Sequence, residues 1–231
     1  MAVTTAEVAP TRTFVETAKP ADPAPLGLAA FALTTFILSG HNATFIPDLI
    51  WVGLAVFYGG LTQLLAGMWE FRNQNVFGAT AFSTYGGFWM SLGIFVVFAT
   101  VSKSFAADLG GANLPNALAW YLLAFAIFNT YMLLWSTQVS VAVFLVFLTL
   151  EATEILLVIG FFDAAHGHAN NGWLHWGGWV GIVTAGVAWY ASAAGVINGM
   201  MAPRKVLPVG APLQFGNGRD QRPLPRRQQP A

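Results

Sequence analysis

Cysteine is absent from the 231 residues, and charged residues are scarce. Only 9% of the chain is Asp, Glu, Lys or Arg, whereas soluble domains carry roughly 25%. Without cysteine there is no disulfide, no thiol nucleophile and no thiolate metal site. Ten basic and ten acidic residues give a formal net charge of zero. We therefore predict no nucleic-acid partner, because such proteins carry a basic surface.

Apolar residues make up 56% of the chain, including 19 Phe and 9 Trp. They are concentrated in six runs, which cover residues 26–46, 49–71, 78–101, 117–135, 139–162 and 173–197. Each run has about 20 residues, the length that a helix needs to cross roughly 30 Å of hydrocarbon. We predict an all-α membrane protein with six transmembrane helices in one bundle, surrounded by membrane lipid.

The two ends of the chain differ from the apolar middle. Residues 1–25 form a polar N-terminal tail without the apolar core of a signal peptide, and residues 26–200 form the transmembrane domain. Residues 201–231 are rich in Pro and Arg and are predicted to be disordered. Nine of the ten basic residues lie on the side that both tails share, and Lys103 lies opposite. The positive-inside rule therefore predicts cytoplasmic termini, and we expect the cell membrane.

The sequence contains no Walker loop, no HExxH and no GxSxG, so we predict that the protein is not an enzyme. We also predict no cofactor and no metal site. His166, His168 and His175 leave two interpretations open. They form a small metal cluster or, as we favour, they are solvated histidines of an outer loop.

The second run carries small and polar residues at helical spacing. Gly53, Gly60 and Gly67 are seven residues apart, and a further stripe contains Gly59, Gln63, Ala66 and Glu70. Residues three and four apart share one helix face. This face either packs on a neighbouring helix or lines a narrow path.

Polar residues also occur inside the other runs. Phe31, Thr34, Leu38 and His41 or Asn42 share one face of the first helix, and Asn129 lies inside the fourth. We take five residues as candidate polar groups of a pathway: Thr34, His41, Asn42, Gln63 and Asn129. For His41, a position wetted at the membrane surface is the alternative.

Glu151 and Glu154 lie one turn apart near the middle of the fifth run. A carboxylate at this depth costs a few kcal/mol, so it must face protein or water or be protonated. Glu151, Glu154 and Glu70 are candidates for a proton relay, with Glu154 as the proton-bearing group. The alternative is that the acids hydrogen-bond across helices. No Lys or Arg lies well inside a run, which suits a neutral solute or a weak acid that moves with its proton.

Two motifs resemble a known family. The segment Asp22-Pro23-Ala24-Pro25-Leu26-Gly27-Leu28 with Phe31 resembles the N-P-A-P-L-G-L-x-x-F signature of the acetate/succinate transporter family. The segment from Phe57-Tyr58-Gly59-Gly60 to Tyr85-Gly86 agrees with the family as well, and the resemblance covers residues 22–208. Asp22 stands where the family has Asn, which puts any role of that Asn towards substrate in doubt.

The resemblance implies a transporter or channel for acetate and related short carboxylates such as succinate, with proton coupling. It further implies a ring-shaped homo-oligomer, a hexamer, in which each six-helix protomer has its own path. A hydrophobic constriction would fall on Phe31, Tyr85 and Leu150. Two other interpretations stay open: a six-helix channel for a neutral solute such as urea, a short amide or ammonia, and a scaffold that transports nothing. The resemblance is compatible with more than one preferred carboxylate, and with either a channel or a symporter.

Overall fold

A computed structural model of the chain describes residues 20–110, 113–169 and 171–213. Within these ranges the regular secondary structure is helical and contains no strand. Seven helices follow one another: α1 (Ala24–Asn42), α2 (Ile50–Arg72), α3 (Val76–Val101), α4 (Lys103–Asp108), α5 (Asn113–Ser136), α6 (Val141–Ala165) and α7 (Gly172–Met200). All except α4 are long and apolar enough to cross a membrane. The prediction of six spans is confirmed.

The connection between the third and fourth spans is shorter than predicted. The apolar runs leave residues 102–116 between these two spans, but α4 begins at Lys103 and α5 begins at Asn113. The Ser102 hydroxyl accepts a hydrogen bond of 3.4 Å from the Phe105 N–H. Serine at this position satisfies a backbone donor that the first helical turn leaves free, so a short helix forms within turn-like sequence.

The six long helices form a closed bundle. The first helix, α1, packs along α7, which packs against α6, and α6 packs against α5. The α2–α3 hairpin lies against α1, and α3 closes the bundle against α5. The last contact is narrow and is made by aromatic side chains, with Phe88 and Phe125 ring centroids 4.8 Å apart. We call the end where α1 begins and α7 ends the termini end, and the other the opposite end.

Small residues bring α7 close to its neighbours. Gly177, Gly181 and Ala185 lie at four-residue intervals on one face of α7, and all three are buried. A Cβ on Gly177 would lie 2.7 Å from the Leu157 side chain of α6, and one on Gly181 would meet the Ser39 side chain of α1. The small face therefore packs within the protomer.

One wide turn interrupts α2. Residues Phe57–Thr62 are π-helical, and the Thr62 hydroxyl donates to the carbonyl oxygen of Phe57, five residues earlier. A π-turn accommodates one residue more than an α-turn. The predicted stripe of glycines seven apart is therefore broken: Gly60 and Gly67 pack on α3, whereas nothing lies near Gly53.

The outer surface of the bundle is apolar. Large exposed side chains occur on every long helix and include Phe57, Trp120, Ile127, Leu134, Trp176 and Met200. A soluble monomer rarely exposes a contiguous apolar patch larger than a few hundred Å². This surface suits contact with lipid and agrees with an integral, multi-pass membrane protein.

The first part of the predicted disordered tail has defined contacts at the termini end. It is hydrogen-bonded to the turn after α5, to α6 and to α7: the Leu213 N–H donates to the Thr137 carbonyl oxygen, the Ala142 N–H donates to the Val209 carbonyl oxygen, and the Tyr190 hydroxyl donates to the Pro208 carbonyl oxygen. The Asn198 carboxamide pairs with the backbone of Val206 and Leu207. These partners order residues that composition alone assigned to disorder. Residues 1–19 and 214–231 of the two predicted tails lie outside the described residues.

Gly178 offers a test of the α1–α7 contact. A Cβ at this position would lie 2.7 Å from the Ser39 carbonyl oxygen and 2.8 Å from the Asn42 carbonyl carbon. Because both atoms belong to the backbone, Gly178→Ala must push the helices apart, and overpacking of this kind costs about 1–3 kcal/mol. We expect a lower thermal unfolding temperature in detergent. Gly186→Ala on the same helix is the control, since nothing lies within 4 Å there; equal stability of the two variants would contradict the close contact.

Candidate functional site

A cavity of about 380 Å³ occupies the middle of the bundle. It extends from Asn42, Asp48 and Thr100 at the opposite end to Phe31, Tyr85 and Leu150 at mid-depth. Its walls come mainly from α1, α3, α5 and α6. The volume is in the range of small-ligand pockets.

Three helices of the wall contribute residues in the same register. Because α1, α3 and α6 all run from the termini end to the opposite end, positions i, i+4 and i+7 on each return to the cavity face. The resulting layers are an apolar neck (Phe31, Tyr85, Leu150), a polar layer (Thr35, Trp89, Glu154) and a leucine layer (Leu38, Leu92, Leu157). The polar layer lies one helical turn, roughly 6 Å, from the neck towards the opposite end.

The neck residues are those that the family resemblance suggested for a constriction. The ring centroids of Phe31 and Tyr85 are 5.9 Å apart in an edge-to-face arrangement. Leu150 lines the same end of the cavity, and all three side chains are buried. The structure thus brings the three residues together, and their role as a constriction stays a prediction.

The mouth of the cavity is polar. His41 Nε2 lies 3.5 Å from Asp48 Oδ1, which also accepts a hydrogen bond of 3.1 Å from the indole N–H of Trp51. Asn42 lines the same mouth. Of the five residues predicted as polar groups of a pathway, His41 and Asn42 therefore line the cavity.

Asn129 is the centre of a buried hydrogen-bond network beside the neck. Its Nδ2 donates to the Phe147 carbonyl oxygen at 3.1 Å and to Glu151 Oε2 at 2.6 Å. The Tyr85 hydroxyl donates to Asn129 Oδ1 at 2.9 Å. A backbone carbonyl can only accept, so the amide nitrogen must face Phe147 and the amide oxygen must face Tyr85.

The same network constrains Glu154. Its Oε1 lies 3.4 Å from the Tyr85 hydroxyl oxygen. That hydroxyl has a single hydrogen, which the shorter contact directs to Asn129. The Tyr85 hydroxyl is thus within donating distance of both Asn129 Oδ1 and Glu154 Oε1, and the contact to Asn129 is the shorter of the two.

Glu151 lies on the outer side of the network. It accepts from Asn129 and from the Thr130 hydroxyl, whose oxygen is 2.8 Å from Glu151 Oε1. Its side chain is partly exposed, and Thr130 is exposed on the protomer surface. Glu151 and Glu154 thus face in different directions: Glu154 lines the cavity and Glu151 does not.

Thr34, Gln63 and Glu70 lie away from the described cavity wall. The Thr34 hydroxyl donates to the Ala30 carbonyl oxygen of its own helix, and the residue is covered by Gly59 of α2. Gln63 is 1% exposed, and Glu70 accepts a 3.0 Å hydrogen bond from the Asn73 side chain near the termini end. Gln63 and Glu70 belong to the α2 stripe that also contains Gly59 and Ala66, and all four residues are buried. This burial favours the interpretation of the stripe as a packing surface.

The first family motif begins and anchors α1. Asp22 Oδ1 accepts a hydrogen bond of 3.0 Å from the Ala24 N–H, a bond that an Asn side chain can also accept. The Ser192 hydroxyl of α7 donates to the Pro25 carbonyl oxygen at 2.6 Å. A Cβ on Gly27 would lie 2.7 Å from the Phe82 ring. The motif therefore has a structural explanation, and Asp22 retains the capping bond.

His175, one of the three histidines predicted as solvated loop residues, lies instead in the first turn of α7, and each of the three has its own partner. His166 Nδ1 lies 2.7 Å from the Phe162 carbonyl oxygen, and His168 Nδ1 lies 2.8 Å from Asp163 Oδ1. His175 accepts a hydrogen bond from the Trp179 indole N–H. Among the described residues no three His, Asp or Glu side chains gather as metal ligands would.

Two residues of the polar layer were not predicted. Thr35 and Trp89 line the cavity, yet a lone Thr or Trp in an apolar helix reads as a packing residue. Thr35 lies four residues after Phe31, and Trp89 lies four residues after Tyr85. Glu154 likewise lies four residues after Leu150. The spacing of four residues from the neck would therefore have identified all three residues of the polar layer.

Comparison with known proteins gives the chain its family. The model of the GPR1/FUN34/yaaH family matches residues 4–209. The chain belongs to the GPR1/FUN34/yaaH family. One relative is acetate permease A of Emericella nidulans. It is 42% identical to this chain over 192 residues, which are 80% of this chain and 64% of that protein. The succinate-acetate/proton symporter SatP of Escherichia coli K12 is 34% identical over 195 residues, 83% of this chain and 96% of that protein.

The fold has a solved counterpart in the same family. The structure of the bacterial acetate channel SatP matches with a TM-score of 0.74 and 33% sequence identity, covering 83% of this chain and all of that one. The chain spans less than two thirds of the length of the relatives from Emericella, Saccharomyces and Yarrowia. The resemblance noted in the motifs is thereby confirmed.

Substitution of Asn129 tests the network. Asn129→Leu keeps the approximate volume but leaves Glu151 and the Tyr85 hydroxyl without a partner that they now have. A lost hydrogen bond costs about 0.5–1.5 kcal/mol, and more where one partner is charged, so the loss of three bonds should lower the free energy of unfolding by about 3 kcal/mol, measured by thermal or denaturant unfolding in detergent. Thr130→Val, which removes one bond to Glu151 and spares Asn129, should cost about 1 kcal/mol. A larger effect of the Thr130 variant would contradict the central position of Asn129.

Proposed function

We propose that this protein carries acetate and related short carboxylates, succinate among them, across a membrane, and that it is not an enzyme. The names of its relatives support this assignment: one is called an acetate permease, one a succinate-acetate/proton symporter and one an acetate channel. The observation that carries the proposal is the cavity, which extends inwards from one end of the bundle and ends at the apolar neck. A solute on this route meets polar groups first and then a constriction of Phe31, Tyr85 and Leu150.

The neck determines which form of the solute crosses. A charged carboxylate loses its hydration there, and an apolar constriction resists wetting. Among the described residues, no Lys or Arg side chain lines the cavity to compensate the charge. The neutral acid avoids this cost, so a proton must join the anion before the neck.

Glu154 is the proton-bearing group in this mechanism. It lies one turn before the neck, and the hydrogen of the neighbouring Tyr85 hydroxyl goes to Asn129. Its proton moves from a carboxyl oxygen to an oxygen of the arriving acetate, which crosses as acetic acid, and Glu154 is reprotonated from the mouth. The titratable groups that face this route are Tyr85, His41 and Asp48, with Glu151 on the far side of Asn129 as a structural partner.

The assembly and orientation follow from surface features. Both termini face the cytoplasm of the cell and the cavity opens outwards, since the basic residues are concentrated at the termini end.

The partly exposed Glu151 and the exposed Thr130 lie at bilayer depth, where contact with lipid is costly. A neighbouring copy that covers them removes this cost, which supports a homo-oligomer, in our proposal a hexamer with one path per protomer.

Uptake of labelled acetate into reconstituted vesicles tests both transport and coupling. We expect uptake above that of protein-free vesicles, and faster uptake when the outside is more acidic than the inside. Glu154→Gln keeps the size but cannot give up a proton, so it should flatten the dependence on external pH, whereas Glu151→Gln should keep it. Uptake no faster than in protein-free vesicles would refute transport of acetate, and competition by urea or acetamide alone would favour the neutral-solute interpretation. An unchanged pH profile in the Glu154 variant would refute its role in coupling.

Truncation of the neck tests the constriction. Phe31→Ala and Leu150→Ala remove side-chain volume where the path is narrowest, so we expect larger carboxylates such as succinate to enter faster relative to acetate. The same vesicles report this ratio. Leu148→Ala, an exposed position on the same helix as Leu150, is the control and should keep the wild-type ratio. Folded neck variants with the wild-type size limit would place the constriction elsewhere.

A further inference from the structure

Three buried polar atoms in the cavity wall lack a hydrogen-bond partner within residues 20–110, 113–169 and 171–213. They are Thr35 Oγ1, Trp89 Nε1 and Glu154 Oε2. Their residues are 5%, 3% and 3% exposed, so bulk water does not reach them freely. Each unpaired group of this kind costs about 1–3 kcal/mol. Three of them in one layer of one cavity indicate a site that is completed by something bound there.

The position of the polar layer restricts what binds. The neck closes it on one side and the leucine layer lies on the other, so the polar groups are flanked by apolar side chains on both sides. A ligand that fits has a small polar head and a short apolar remainder. This shape matches a short carboxylic acid better than it matches a fully polar solute.

The donors of the layer indicate the chemistry of the head. The indole N–H of Trp89 can only donate, and the Thr35 hydroxyl has its hydrogen available. Glu154 Oε2, the carboxyl oxygen without a partner, contributes a third hydrogen when it carries the proton. A carboxylate offers two oxygens with about four acceptor sites and no hydrogen, so it can pair with all three donors.

An amide or urea fits less well. Its NH₂ group can only donate, and facing the Trp89 N–H it would place two donors against each other. A charged acceptor also makes hydrogen bonds roughly twice as strong as a neutral one. The layer therefore discriminates between a carboxylate and its neutral analogue of the same size.

We propose that Thr35, Trp89 and Glu154 form the site that binds the carboxyl group of the substrate before it passes the neck. The proposal rests on the transport function proposed above. In this site the Trp89 indole N–H and the Thr35 hydroxyl donate hydrogen bonds to the two carboxylate oxygens of the substrate, and Glu154 transfers its proton to the substrate. The alkyl end lies against the apolar side chains of the neck.

Two substitutions remove one donor each with little change in volume: Trp89→Phe and Thr35→Val. A hydrogen bond to a charged group contributes enough that its loss should raise the half-saturating concentration of acetate about tenfold. The maximal rate should change less, because the neck is intact. The control variants are Trp120→Phe, an exposed tryptophan of α5, and Thr149→Val, whose hydroxyl bonds its own helix. Both should keep the wild-type half-saturating concentration.

Thermal unfolding of the purified protein with acetate or acetamide measures binding without flux, since a ligand of the folded state raises the unfolding temperature. We expect acetate to stabilise the wild type more than acetamide does, and Trp89→Phe and Thr35→Val to lose this preference. If the wild type takes up acetate but both folded variants keep its half-saturating concentration and its preference, the proposal is wrong and the layer holds water. If acetate stabilises the wild type but not the two variants, and no uptake occurs, the site stands and the transport function fails. If Trp89→Phe does not fold, Thr35→Val decides between these results.

Discussion

Hydrocarbon offers no hydrogen bonds, so each polar group at bilayer depth depends on a partner inside the protein. Asn129 is where this constraint is met most fully. Both hydrogens of its amide are donated, and its oxygen accepts from Tyr85. One amide thereby joins α3, α5 and α6 at the level of the neck. Glu154 is tied to the same arrangement, since its Oε1 shares the Tyr85 hydroxyl with Asn129.

The fold was largely predictable because it follows from the length of apolar runs. All six spans are where hydropathy put them, since a run of about 20 apolar residues has few alternatives in a bilayer. The wide turn at Phe57–Thr62 was not predictable, because regular periodicity assumes 3.6 residues per turn. Residues 203–213 were also missed, as composition does not reveal that Asn198 and Tyr190 have backbone partners there.

The site was predictable only in part. The three neck residues came from motifs, and His41 and Asn42 came from helix spacing. Thr34 was predicted to face the pathway, whereas Thr35 lines the cavity and Thr34 is covered by α2. The sequence of α1 alone does not show which of its faces α2 covers. Trp89 was passed over because its indole is large and apolar enough to count as packing. The three layers can be recognised only when it is known that α1, α3 and α6 run in the same direction and which of their residues lie at the same depth.

The wide turn in α2 also bears on how the chain tolerates insertion and deletion. Removing one residue within Phe57–Thr62 would let this turn close to an α-turn, because a π-turn holds one residue more. The segments on both sides would then keep their orientation, with Trp51, Ala55 and Gln63 still buried. Removing one residue from a regular α-helical stretch would instead rotate one side against the other by roughly 100°. Length differences between relatives are therefore accommodated in the loops or in this turn, and an alignment gap placed inside this segment leaves the α1–α2 contact in place.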